Sequence, residues 1–88
     1  MLNGQKARET IEYERDRILD TVSSVVEMGP ILREHANQLR TEILRSSARA
    51  QMILDIEDDT FSDLANDARE LLHICGIAIM TIGNNTQQ

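Results

Sequence analysis

Aromatic side chains are nearly missing: the chain has one Tyr, one Phe and no Trp in 88 residues. A core must therefore be assembled from Ile, Leu, Val, Ala and Met, each burying less area than a ring. Cysteine is almost as scarce. One Cys excludes an internal disulfide, so no oxidising compartment is required. Basic blocks are missing too. The net charge is −6, divided as −2 over residues 1–30, zero over 31–57 and −4 over 58–88. Holding nucleic acid or anionic lipid needs clustered Lys and Arg, which this chain does not offer. The oiliest run, "HICGIAIMTI" at 73–82, is about half the length of a membrane span. The opening "MLNGQKARET" lacks the apolar core of a signal peptide. A soluble, cytoplasmic protein is expected.

What is present suits a small globular chain. Hydrophobic residues make up 41% and charged residues 27%, which is not the composition of a disordered tail. Length allows one domain, 1–88, with a core near the lower limit of self-sufficiency. Such a core gains from a second copy or a partner.

With one Pro and four Gly, punctuation is sparse. Gly29-Pro30 forms the strongest break, because Gly favours the position after a helix and Pro opens the next one. No Ser, Thr, Asp or Asn caps a start there, so a proline kink inside one long helix is the competing reading. The second break is "EDDTFSD" at 57–63. Asp55, Glu57 and Asp59 suggest calcium, but an EF-hand loop needs Gly at position six and Glu at twelve. Those positions hold Thr60 and Asn66. Thr60 to Asp63 reads instead as a capping box with Asp in place of Glu.

These breaks predict an all-α protein, a three-helix antiparallel bundle with helices over roughly 5–28, 31–57 and 60–82, and frayed ends at 1–4 and 83–88. In the first helix Ala7, Ile11, Ile18, Val22 and Val25 share a stripe, with Leu19 and Val26 at its edge. The second has Leu32, Ala36, Leu39, Ile43, Ala50, Ile53 and Leu54, diluted by Ser46 and Ser47. In the third, Phe61, Leu64, Ala68, Leu71, Cys75, Ala78 and Ile82 alternate steps of three and four. That spacing is the seam of a helix packed lengthwise on others, with Leu72 and Ile79 widening it. Ile and Thr in the oily run also suit a buried strand. The unbroken helical register from Thr60 to Ile82 favours a helix, and Gly83 then supplies a stop.

Two surfaces point beyond a monomer. Ile74, Ile77 and Met80 fall behind the seam of the third helix, and a helix oily all round is covered all round. The first helix could wrap over them, or a second subunit or target could bury them. In the second helix Arg45, Arg49, Met52 and Ile56, with Thr41 and Ala48, form a second stripe of the composition found in interface cores. Acids within the chain (Asp67, Glu70 or those of the first helix) could face the two arginines, as could an acidic patch on a partner. The first helix's own polar face, "RETIEYERDRILD", reads as solvated and salt-laced, and Tyr13 points away from Ile11 and Ile18.

Chemistry is poorly represented. His35, His73 and Cys75 are the only imidazoles and thiol, and His73 and Cys75 lie on different faces of a helix, so they cannot grip one zinc ion together. Cys75 sits mid-seam, where a free thiol behaves as a small hydrophobe. No phosphate-binding loop or triad pattern occurs. No catalytic role, metal or cofactor is expected. The composition fits a stoichiometric regulator or inhibitor that pairs with itself as a homodimer and binds another protein, as small bacterial or phage inhibitors, antiactivators and antitoxins do. Two other readings carry less support. One is a dimeric DNA-associated regulator presenting Arg33, Arg40, Arg45 or Arg49 to phosphates. The other is an acidic mimic of nucleic acid that blocks a basic groove.

Overall fold

In the computed structural model, residues 4–56 and 62–87 are described. Three helices follow one another: α1 (Gly4–Met28), α2 (Arg33–Ile56) and α3 (Asp63–Asn84). They run up, down and up, forming a bundle of 43 × 19 × 18 Å with no strand among the described residues. The helical stripes account for this directly. Ile11, Ile18 and Val25 of α1, Ala36, Ile43 and Ala50 of α2, and Leu64, Ala68, Leu71, Cys75, Ala78 and Ile82 of α3 make one buried core. Fully burying a side chain such as Leu71 contributes about 1.5–3 kcal/mol. Phe61, expected at the head of the α3 stripe, lies outside the described residues.

The packing is lopsided. α3 lies closely along both α1 and α2, whereas α1 and α2 touch little. A helix with two close neighbours needs a wide apolar arc, and this explains most of the oily run. Leu72 and Ile79 precede Gly83 by three turns and one turn, and a Cβ added at Gly83 would lie 3.5 Å from the Arg40 guanidinium of α2. Ile74 lies one turn past Glu70, which pairs with Arg15 of α1 at 3.6 Å. All three pack partly buried against the core.

The chain breaks have physical causes. Gly29 takes φ +76, a left-handed value open to Gly at no steric cost, and its N–H returns to the Val25 carbonyl at 3.2 Å. Gly29-Pro30 is therefore a turn and not a kink. Ile31, not Leu32, fills the core after it; Leu32 is 67% exposed. α2 consequently starts at Arg33, two residues later than the stripe suggested, because Ile31 is held in extended pairing. Its N–H donates to the Asn85 carbonyl at 2.7 Å and its carbonyl accepts from Gln87 N–H at 2.8 Å. The stretch read as a frayed tail is thus clipped onto the α1–α2 turn at residues 85–87. Gly83 does not stop α3, which runs on to Asn84 and is capped by Asn85. At the other end, Ser62 and not Thr60 is the N-cap, its hydroxyl accepting from Ala65 N–H at 3.0 Å. Thr60 lies outside the described residues.

Candidate interaction groove between α1 and α2

Because α1 and α2 barely touch, a groove runs along their seam. Its floor is the side of the core that α3 does not cover. Glu14 crosses it midway. This carboxylate is only 4% exposed, accepts from the Ser46 hydroxyl at 3.4 Å and pairs with the Arg49 guanidinium. A buried carboxylate needs such partners, since leaving it unpaired costs far more than the pair returns. Glu14 falls where α1's stripe steps seven residues from Ile11 to Ile18. Ser46 fills the matching gap between Ile43 and Ala50. The two gaps meet across the seam.

The crossing divides the groove in two. On one side Arg17, Ile18 and Thr21 of α1 face Leu39, Glu42, Ile43 and Arg45 of α2. On the other, Ala7, Thr10 and Ile11 face Met52, Ile53 and Ile56. The second half is apolar and open: Met52 is 61% exposed and Ile56 58%. Arg45, Arg49, Met52 and Ile56, read from the sequence as one stripe, thus form one wall of one groove. Arg49 takes an α1 acid, Glu14. Asp67 and Glu70 are engaged elsewhere, with Arg8 at 3.2 Å and Arg15 at 3.6 Å. The Asp67 hydrogen bond holds the Arg8 guanidinium above its ordinary value. Arg45 makes no ion pair among the described residues.

The α3 residues expected at an interface do not join this groove. Ile74 is half-buried on the core, so only Ile77 and Met80 stay exposed, at 46% and 67%. Helix α1 does not cover those two. Tyr13 is exposed and carries Arg17 over its ring, 5.8 Å from the centroid.

Reactive groups are dispersed. Cys75 is buried, and burial pushes its thiol up from 9.0. His35 and His73 are exposed, and no cluster of three or more His, Cys, Asp or Glu suited to a metal occurs among the described residues. The arginines split between faces: Arg33 and Arg40 lie near Gly83 and Thr86, while Arg45 and Arg49 turn toward α1. They form no single phosphate-facing row. No helix of the described residues is long and apolar enough to cross a membrane. Comparison of the chain with protein-family models, with curated proteins and with solved structures gives no match.

Glu14 is the central residue of the groove that sequence reasoning missed, and Arg17 and Glu42 of its walls were missed with it. The signal of Glu14 was available: a charged residue standing in the gap of an otherwise apolar stripe.

Proposed function

We propose that this protein acts stoichiometrically, binding another protein through the α1/α2 groove and thereby regulating or inhibiting it. The observation that supports this reading is the open groove itself, in which exposed Met52 and Ile56 extend a floor of buried Ile11 and half-buried Ile53. An apolar strip of this kind, rimmed by arginine, has the composition of an interface core. A groove between two helices suits an inserted helix, one of the recurring ways in which an amphipathic segment is recognised. Catalysis has no comparable support, since the one thiol is buried and the buried carboxylate of the seam, Glu14, is engaged with Arg49 and Ser46.

The test is site-specific crosslinking. A photoreactive residue at Met52 should capture a partner in cells, whereas the same residue at exposed His73, on α3 outside the groove, should not. The purified partner should then form a complex of fixed stoichiometry, weakened at least tenfold by Ile56→Glu. Equal capture from both positions, or a complex indifferent to Ile56→Glu, would refute the groove.

A further inference from the structure

We infer that the occupant of the α1/α2 groove is an amphipathic helix of a partner protein, bearing a carboxylate two to three turns from its apolar anchors. The inference rests on the groove reading above and adds the chemistry of what fits. Its carrier is charge complementarity. The chain as a whole is −6, yet the groove is lined by Arg17, Arg45 and Arg49 against Glu14 and Glu42. Glu14 and Arg49 neutralise one another across the seam. Arg17 and Arg45 then stand on opposite walls, one from each helix, with no ion-pair partner among the described residues. Glu42 offsets only one of them. In an acidic chain whose Arg8, Arg15 and Arg49 all engage carboxylates, Arg45, with Arg17 held over the Tyr13 ring on the opposite wall, is the place where an incoming carboxylate is favoured.

The spacing follows from the wall. Along α2, Arg45 precedes Met52, Ile53 and Ile56 by seven, eight and eleven residues, about 10–16 Å at the helical rise. A helix lying in the groove must match that separation with its own acid and apolar anchors, seven to eleven residues apart. A second copy of this chain fits less well. In a symmetric contact whose axis passes through the Glu14–Arg49 crossing at the middle of the groove, the two copies' Arg49 side chains would face each other, with Arg45 close by, placing like charges together. Nucleic acid is opposed by the seven negative charges in excess outside the groove.

A displayed library of amphipathic helices, with apolar positions fixed and the others randomised, would be selected on the immobilised full chain. The expected result is enrichment of Asp or Glu at one position seven to eleven residues from the apolar anchors. The best peptide should bind at least tenfold more weakly to Arg45→Glu and to Arg45→Ala, and nearly unchanged to Arg33→Glu, which alters charge outside the groove. Binding should also weaken as salt is raised. Enrichment of basic or neutral residues, with binding still abolished by Ile56→Glu, would overturn the acidic inference and leave the groove reading standing. Failure to select any Ile56-dependent helix would overturn both. A dimer in light scattering that Arg45→Glu dissociates would seat a second copy in the groove and overturn the inference.

Discussion

Glu14 is the residue on which the α1/α2 seam turns. Its carboxylate is buried, while the Arg49 side chain that neutralises it is 56% exposed. The two partners are therefore not equivalent. Arg49→Ala leaves a buried negative charge with Ser46 alone and is expected to cost about 1–3 kcal/mol in chemical denaturation. Replacing the acid as well removes the cause: Glu14→Leu combined with Arg49→Ala should recover most of that loss. If the double variant is as unstable as the single one, the pair is not what sets the cost. Cys75 makes a second residue-scale case. Its thiol is favoured in the neutral form by burial, and unfolding exposes it to water. The folded pKa is raised, so the stability it contributes is complete below the unfolded value of 9.0 and is lost as pH rises past it. Wild type should lose stability above pH 9 by a margin that Cys75→Ala lacks. That variant itself should cost about 1–2 kcal/mol at neutral pH, and the native thiol should resist alkylation. Equal alkaline losses in both proteins would contradict this account.

Among the helices, α3 was the most legible in the sequence. Its steps of three and four are uninterrupted, and from Leu64 to Ile82 every member of that series is buried. Element ends were harder to read. Stripe reasoning placed Leu32 inside because it precedes Ala36 by four residues, but the pairing of Ile31 with Asn85 and Gln87 holds the backbone extended and turns Leu32 outward. That pairing joins residues more than fifty apart, which no local periodicity reveals. The α1/α2 wall was half legible: Arg45, Arg49, Met52 and Ile56 could be placed on one stripe, but not the helix they face. Glu14 was overlooked because a charged residue in a seam reads as a gap until its partner is found. Gly76 stands midway along α3, where a glycine costs the helix stability. A Cβ there would meet nothing within 4 Å. Gly76→Ala should thus stabilise the isolated protein by about 0.5–1 kcal/mol in thermal unfolding. A loss of stability would mean that the space is not open.

On the scale of the whole molecule, the protein carries a second apolar surface apart from the groove. Arg8 and Arg15 of α1 pair with Asp67 and Glu70 of α3 across the seam of these two parallel helices. Beyond those pairs the helical repeat brings Leu19 and Val26 to the same edge of α1, and Ile77, two turns past Glu70, to the facing edge of α3. All three are exposed, as is neighbouring Met80. The seam is thus polar where it is paired and oily where it is bare. If this edge is where two copies meet, Ile77→Glu sets a charge in a desolvated contact, at several kcal/mol when unpaired. By symmetry the cost is incurred in both subunits. Light scattering at tens of micromolar should then show a dimer for wild type and a monomer for Ile77→Glu, with the helical circular dichroism retained. Arg45→Glu, on the groove, should leave that dimer intact, because the two surfaces share no residue. A wild type already monomeric at this concentration would remove the dimer and leave Ile77 and Met80 to a partner protein. Dissociation by Arg45→Glu in place of Ile77→Glu would move self-association into the groove.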